Sequence, residues 1–224
     1  MPANCARIRE ALEQTQPYAS LSAGELDALA PRCREIRLEP HEVLLHDGDV
    51  PTSSFILLEG ALTRSLVTAD GKTVLLNYTR PVTSFACASL FERTPHLGLI
   101  EAAVSSLVVA VPRDAIESLV ESSSAFAVAM VHKLARSSVR QTEALYDLMF
   151  PVPVRVARLL CRRADEAGSV TLDVSKASLA EMLGTVPETL SRALATLRRE
   201  GLIEVDGRAV RVCSLDKLHT YAQL

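Results

Sequence analysis

The chain has 224 residues, of which 48% are hydrophobic and 23% charged, a composition that excludes disordered and fibrous proteins. Its net charge of −3 does not by itself indicate a nucleic-acid partner. No apolar run reaches the roughly 20 residues of a membrane span and no signal peptide is evident, so we expect a cytoplasmic protein with no membrane partner. Five scattered cysteines without a CxxC pair disfavour a disulfide framework, a zinc site and an iron–sulfur cluster.

The N-terminal part of the chain predicts two short amphipathic helices, at 5–15 and 20–31. Ser22 precedes Glu25 by three residues, which is the spacing of a capping box. Beyond them, short apolar stretches between residues 34 and 111 are separated by turns about every ten residues. This texture is typical of an antiparallel barrel or jelly roll.

Turn residues support the division of this region into strands. Gly48-Asp49 and residues 69–72 carry Gly and Asp, which tolerate the positive φ of tight turns. Pro112 then suits the first turn of a further helix.

A long helix is predicted from about Ala125 to Met149. Apolar residues with a polar centre repeat in steps of four and three at positions 127, 131, 134, 138, 141, 145 and 148. We expect this seam to meet a second subunit, through Val131, Leu134, Gln141, Leu145 and Leu148; packing within one subunit is the alternative. Pro151 and Pro153 end the helix, because each disfavours helix in the residue before it.

The last 74 residues predict a winged helix-turn-helix. They contain eleven Lys and Arg against nine Asp and Glu, so this end of the chain carries the basic excess. The pattern is a helix ended by Gly168, a strand, a helix over 175–183, a turn at 184–186 and a second helix from Pro187. A hairpin with Asp206-Gly207 at its tip follows.

The second helix of this motif has the chemistry of a recognition helix. Leu190, Ala193, Leu194 and Leu197 form the expected buried face. The other face carries the candidates for base contacts, Glu188, Thr189, Ser191 and Arg192, since Arg can bind guanine, Glu can accept from cytosine and Ser or Thr can serve either. The remaining candidates for DNA contact are Lys176, Ser178, Thr185, Arg198 and Arg199, most of them suited to phosphates.

The segment LAEMLGTVPETLSRALATLRREGLIEVDGR resembles the DNA-binding domain of the Crp/Fnr superfamily of transcription regulators, and the likeness covers nearly the whole chain. It implies an α+β fold: an N-terminal antiparallel β-roll of the cyclic-nucleotide-binding type over 1–122, a dimerisation helix over 123–150 and a winged helix-turn-helix over 151–224. The implied partners are double-stranded DNA, a second copy of the chain and RNA polymerase. No enzymatic activity is expected.

The E-T-x-S-R pattern is similar to that of the anaerobic and nitric-oxide-responsive branches of the superfamily. The cyclic-AMP branch has arginine where this chain has Pro187 and glycine where it has Ser191. The resemblance therefore implies half-sites like TTGAT, arranged as the inverted repeat TTGAT-N4-ATCAA.

The expected sensor region departs from the cyclic-nucleotide pattern. In that branch a Phe-Gly-Glu segment binds ribose and a later arginine binds the phosphate, whereas residues 84–90 hold no glutamate and residues 95–100 no arginine. A buried phosphate without a cation is costly, so cyclic AMP is disfavoured. Only Cys5 lies near the N-terminus, where the oxygen-sensing branch has a cysteine cluster.

What the sequence favours instead is an apolar effector pocket, lined by Phe85, Cys87, Leu90, Phe91, Phe126 and Met130. This resembles the nitric-oxide-responsive and haem-binding branches. Haem is left open as a cofactor; candidate iron ligands are His41, His46, His96, His132, Cys87 and the Pro2 amine, and no pair has diagnostic spacing. Cys87 as a redox-sensitive thiol is a further hypothesis.

Two other classes of function compete with a transcription regulator. A cupin-like enzyme on the β-roll would need clustered histidine and carboxylate ligands, and His41 and His46 lack that spacing. A regulatory β-roll protein that binds a small ligand, without DNA as its main target, is the second alternative.

Overall fold

The computed structural model describes residues 3–68, 71, 73–172 and 174–224. The chain forms two compact units, Met1–Val139 and Arg140–Leu224. One helix, Ser124–Asp147, runs through the boundary between them. Within the described ranges no helix is both long and apolar enough to cross a membrane.

The first unit begins with the two predicted helices, α1 (Ala3–Gln14) and α2 (Ala23–Leu29). Short 3-10 helices follow each of them, at Tyr18–Ser20 and Ala30–Arg32. The capping box is present, because Ser22 Oγ accepts from the Glu25 amide and the Glu25 carboxylate accepts from the Ser22 amide at 2.7 Å. Both orphan donors at the start of α2 are thereby satisfied.

Two four-stranded antiparallel sheets form the β-roll, which confirms the predicted architecture. The strands are β1 (Arg34–Leu38), β2 (Val43–Leu45), β3 (Ser53–Glu59), β4 (Leu62–Val67), β5 (Thr73–Thr79), β6 (Thr83–Phe85), β7 (Leu99–Ala102) and β8 (Ser106–Pro112). The first sheet has the order β1-β8-β3-β6 and the second β2-β7-β4-β5. The sequence analysis missed β6, because its three residues are too few to show alternation. Of the predicted turn at 69–72, only Gly71 lies among the described residues, with a φ of +80°.

Both faces of the first sheet are buried, and each contributes to a different core. Leu57 and Val108 point into the β-roll, where they meet residues of the second sheet in what we call the inner core. Ile56 and Val109, one position along each strand, pack against the helices in the outer core. Because strand neighbours point to opposite faces, β8 reads as one apolar run, Leu107 to Val111.

Three further helices complete the first unit and lead out of it: α3 (Cys87–Glu92), α4 (Arg113–Ser122) and α5 (Ser124–Asp147). The prediction for Pro112 was wrong by one position. Pro112 is the N-cap of α4 with extended backbone, and the first helical residue is Arg113.

The second unit is the predicted winged helix-turn-helix. It contains α6 (Val152–Arg163), β9 (Ser169–Thr171), α7 (Lys176–Met182), α8 (Pro187–Arg199), β10 (Ile203–Asp206), β11 (Ala209–Val212) and α9 (Leu215–Ala222). The three strands form an antiparallel sheet in the order β10-β11-β9. The spacing correctly predicted the apolar face of α8, which is buried.

Three details of this unit differ from the sequence prediction. Helix α6 ends at Arg163, before Gly168, because the Asp165 carboxylate accepts from the amide of Ser169 at 2.7 Å and holds a turn there. Asp206 pairs with Ala209, so the tip of the hairpin is Gly207-Arg208 and not Asp206-Gly207. The terminal helix α9 was not predicted.

Candidate functional site

Helix α8 presents a polar surface opposite its buried face. Its buried side chains are Leu190, Ala193, Leu194 and Leu197. Glu188, Ser191 and Arg192 are exposed within its first two turns, and Thr189 is half-buried. Arg192 Nη2 donates to Thr189 Oγ1 at 3.0 Å, which holds the guanidinium along the helix surface. The sequence-predicted base contacts therefore lie together at one end of one helix.

The turn before α8 sets the direction of that surface. Gly184 has a φ of +61°, and a Cβ built on it would lie 2.9 Å from Leu148 Cδ2, so a larger residue would be both strained and crowded. The Thr185 amide donates to the Ala180 carbonyl at 2.9 Å. Thr185, half-buried, is thus held between α7 and α8.

Arg155 fastens this turn to the segment that follows α5. Its Nη1 donates to the Leu183 carbonyl at 2.7 Å, and its Nε donates to the Phe150 carbonyl at 2.7 Å. Its Nη2 donates to the Leu148 carbonyl at 3.0 Å. One guanidinium thus satisfies the carbonyl oxygens left free where two helices end. Nothing in the sequence pattern signalled this role.

Candidate phosphate contacts surround α8. Lys176, Arg198 and Arg199 are exposed, whereas Ser178 is half-buried with its Oγ 2.8 Å from Ser175 Oγ. The hairpin adds a cation that the sequence analysis missed, Arg208, exposed at its tip. The shift of the hairpin tip by one residue is what brings Arg208 into that position.

The predicted seam on α5 is largely exposed in the single chain. Val131 is 65% exposed, Leu145 is 68% exposed and Gln141 is exposed as well. Leu148 lies one residue beyond the helix end, beside Gly184. Leu134 differs from the others, because it is half-buried and packs against the outer core.

The six residues predicted to line an apolar pocket are divided between the two cores. Cys87, Leu90, Phe126 and Met130 are buried in the outer core, with Phe91 packed against it. Phe85 packs against the inner core, where its ring stacks on Phe55 at 5.6 Å between centroids. The Cys87 thiol lies 3.3 Å from Ser54 Oγ. These side chains fill protein interior and do not enclose one common space.

A cavity lies elsewhere in the first unit, inside the β-roll. It is lined by Thr63, Arg64, Asn77, Thr79, Phe85, Ala86, His96 and Ile100. Phe85 is the one predicted pocket residue on this list. The sequence analysis found no arginine in the stretch 95–100, and the structure supplies one from another strand, Arg64 on β4. The register of β4 against its neighbours could not be read from one sequence.

The candidate iron ligands are not assembled. His41, His46 and His132 are exposed, while His96 is buried beside the cavity and Cys87 is in the outer core. Pro2 lies outside the described residues. Within the described parts of the chain, no three His, Cys, Asp or Glu side chains form a group that could hold a metal ion. Among the described candidates, no two lie together at one site where they could act as a pair of haem ligands.

Two family models match the two units of this fold. The Crp-like helix-turn-helix domain matches residues 154–221 and the cyclic nucleotide-binding domain matches residues 35–123. A curated relative, the CRP-like cAMP-activated global transcriptional regulator of Mycobacterium tuberculosis, is 24% identical over 93% of this chain and 97% of its own length. That protein is named as a transcriptional regulator, the class of protein expected for this chain.

Solved structures share the same architecture. A CooA variant from Carboxydothermus hydrogenoformans superposes with a TM-score of 0.73 at 21% identity, covering 86% of this chain and 88% of that one. A CRP-family transcriptional regulator of Thermus thermophilus gives 0.63 at 25% identity, covering 84% and 97%. The chain belongs to the Crp/Fnr superfamily of transcription regulators, with an effector-binding β-roll and a DNA-binding helix-turn-helix.

Proposed function

We propose that the protein is a cytoplasmic homodimer that binds a TTGAT-N4-ATCAA-like inverted repeat and is gated by a signal in its β-roll other than a cyclic nucleotide. The observation that carries the DNA site is the exposed cluster Glu188, Ser191 and Arg192 at the start of α8. A helix that enters a major groove meets base edges with the residues of its N-terminal turns.

Each of these side chains matches one chemical feature of the half-site. Arg192 can donate two hydrogen bonds to O6 and N7 of the guanine in TTGAT. Glu188 can accept from N4 of the cytosine opposite that guanine. Ser191, short and exposed, can serve a base edge or a phosphate. The assignment to this particular half-site comes from the resemblance to the anaerobic branches.

The surrounding cations and hydroxyls suit the DNA backbone. Lys176, Arg198 and Arg208 are exposed and carry charges that attract phosphates without reading sequence. We also assign phosphate contacts to Ser178, which lies on α7, and to Thr185, which lies in the turn between α7 and α8. Each phosphate neutralised by a lysine or arginine should steepen the dependence of affinity on salt.

The exposed apolar face of α5 supports a dimer. Val131 and Leu145 are both about two-thirds exposed, with Val128 (57%) and Val139 (57%) also uncovered on this helix. Repeating apolar residues on a long helix are stabilised by a second helix packed against them. A two-fold dimer would also match a palindromic site with half-sites one DNA turn apart. RNA polymerase is the protein partner that the family resemblance implies.

Duplex binding by fluorescence anisotropy tests the function. The labelled duplex carries TTGAT-N4-ATCAA, and the matched control replaces the G·C pair of each half-site with A·T. We expect two chains per duplex and at least about tenfold weaker binding to the control, since each mismatched pair typically costs about 1–3 kcal/mol. Equal binding to both duplexes would refute the half-site. Binding to neither would favour the regulatory protein that does not act on DNA.

Cyclic AMP is not the proposed signal, although the mycobacterial relative is named as cAMP-activated. Residues 84–90 offer no carboxylate for a ribose. Haem and nitric oxide remain measurable alternatives: an absorption spectrum of anaerobic protein, before and after nitric oxide, should show no Soret band. A Soret band would contradict the proposed class of signal but would not bear on the proposed DNA site.

A further inference from the structure

The cavity inside the β-roll has an uneven lining. Strands β4 and β5, together with His96 ahead of β7, contribute polar or charged groups, whereas Phe85, Ala86 and Ile100 contribute apolar surface. Its volume is about 60 Å³. That space suits a phosphate or carboxylate group and is too small for a whole nucleotide or a porphyrin.

Arg64 is the charged group of this cavity, and its position is unusual. It pairs with Ile100 on β7 and Asn77 on β5, and Leu62, two residues earlier on β4 and so on the same face, pairs with Ala102. Directly paired residues of antiparallel strands share a face. Since Leu62, Ile100 and Ala102 belong to the inner core, the Arg64 side chain is on the inner face of the roll.

Within the described parts of the chain, no carboxylate acts as a counter-ion for the Arg64 guanidinium. Its buried Nε lacks a hydrogen-bond partner, and none of the ion pairs formed by the described residues includes it. Burial lowers the pKa of Arg64, with no carboxylate to offset it. A cation taken partly out of water is costly unless it is paired and hydrogen-bonded, so the half-buried Arg64 would be stabilised by an anion.

A second unpartnered group faces the same cavity. His96 is only 6% exposed, and its Nε2 is buried without a hydrogen bond. Its backbone is fixed on both sides, because the His96 amide donates to the Asp49 carbonyl at 2.7 Å and the Gly48 amide donates to the His96 carbonyl at 2.9 Å. The backbone of His96 is thus fixed, while its Nε2 has no hydrogen-bond partner among the described residues.

We propose that the β-roll cavity binds a small anion, a carboxylate or phosphate, anchored by Arg64 and hydrogen-bonded by His96 and Asn77. Such an anion supplies the counter-ion that Arg64 lacks, and a guanidinium binds either group through two parallel hydrogen bonds. Asn77 Nδ2 already donates to Thr79 Oγ1 at 3.2 Å, which holds the amide at the cavity wall. The inference rests on the proposed function, since it names the chemical class of the signal.

Calorimetric titration of the full-length protein tests the site. The probes are sodium phosphate, sodium succinate and cyclic AMP, each at constant ionic strength. The variants are Arg64→Met, Arg64→Lys and, as the matched control, Arg37→Met, which removes an exposed arginine from β1. We expect phosphate or succinate to bind saturably, with about tenfold or greater loss in Arg64→Met, partial recovery in Arg64→Lys and no change in Arg37→Met.

Thermal unfolding gives a readout that does not depend on a tight ligand. Without added anion, Arg64→Met should unfold at the same or a higher temperature than wild type, because it removes a half-buried charge that no carboxylate of the described residues pairs with. Stabilisation by phosphate or succinate should be seen in wild type and lost in the variant. No saturable binding of either anion to wild type, or equal binding to Arg64→Met, would overturn the proposal. So would cyclic AMP binding more tightly than both.

Duplex binding by the same samples separates this inference from the proposed function. If the protein binds the operator duplex and neither anion binds or changes that affinity, the proposed anion site is wrong and the proposed DNA site is still supported. If an anion binds in a way that requires Arg64 but the protein binds no duplex, the anion site is supported and the proposed function is wrong.

Discussion

Arg158 Nε donates a hydrogen bond to Asp147 Oδ1 at 2.6 Å, and both side chains are more than nine-tenths buried. Asp147 is the last residue of α5, and Arg158 lies in the middle of α6. Arg158 Nη1 also donates to the carbonyl of Ala222 at 3.0 Å, and its guanidinium lies over the ring of Phe150. One buried charge therefore connects the ends of α5 and α9 to α6 within the second unit.

Asp147→Ala should destabilise the second unit strongly. The change leaves Arg158 buried without its carboxylate, and breaking a buried pair in this way typically costs about 3 kcal/mol or more of unfolding free energy. Urea unfolding followed by far-UV circular dichroism measures the loss. Arg211 and Glu204 form the matched control, because this pair has the same chemistry at 2.6 Å but is exposed. Glu204→Ala should change the midpoint little, and equal losses would contradict the importance of burial.

Stability should also depend on pH through Asp147. Burial alone would raise the pKa of its carboxyl, but hydrogen bonds from Arg162 and Arg158 outweigh it and lower the pKa below its ordinary value. The folded state therefore releases this proton more readily than the unfolded chain, where the pKa is about 3.9. The stabilisation is present above that value and is lost as the pH falls through the folded pKa.

Urea midpoints of wild type and Asp147→Asn, measured from neutral pH into the acid range, test this dependence. The difference between them should be largest at neutral pH and shrink as the pH falls below about 4. A constant difference across the series would show that the carboxylate charge is not what stabilises the fold.

The local pattern of the sequence was enough to predict most elements of this fold. The capping box at Ser22 and the buried face of α8 follow from spacing along one helix, and the jelly roll follows from the frequency of turns. Strand β6 and helix α9 were missed because they are short and gain their stability from partners distant in sequence. Leu218 and Ala222, for example, are buried in α9 by tertiary packing.

In the candidate sites too, contacts within one element could be predicted from the sequence, whereas contacts between distant elements could not. Glu188 and Arg192 share one helix, so their proximity could be predicted. Arg64 reaches the cavity through the register of three strands, and Arg155 binds carbonyls of residues up to 29 positions away. Such pairings depend on the tertiary fold, which one sequence does not reveal. The predicted apolar pocket was drawn from residues close together in sequence, and the first sheet separates Phe85 from the others.

Arg192→Ala should remove base readout at one position of the half-site. We expect a loss of about 1–3 kcal/mol in binding to TTGAT-N4-ATCAA and a relaxed preference for the G·C pair. Lys176→Ala is the informative comparison, because a phosphate contact has no sequence preference. It should weaken binding to all duplexes alike and reduce the salt slope by about 1. Anisotropy titrations over a salt series measure both. If Arg192→Ala kept the guanine preference, α8 would not be the reading helix.

A test of the proposed dimer should change only those seam residues on α5 that do not also stabilise the single chain. Leu134 packs against the outer core, so a charge there would disturb the fold of the first unit as well as an interface. Val131 and Leu145 are both about two-thirds exposed, so glutamate at either is tolerated in a single chain. In a symmetric helix pair, the same two substitutions would place like charges opposite each other in an apolar seam.

The double variant Val131→Glu with Leu145→Glu should therefore sediment as a monomer with an unchanged circular dichroism spectrum. Its binding to the inverted repeat should fall by about a hundredfold or more, since the two half-sites no longer share one linked binding event. Arg136→Glu, an exposed glutamate placed on the opposite side of α5, is the control and should remain dimeric. A double variant that stayed dimeric with full operator affinity would show that subunits associate through another surface.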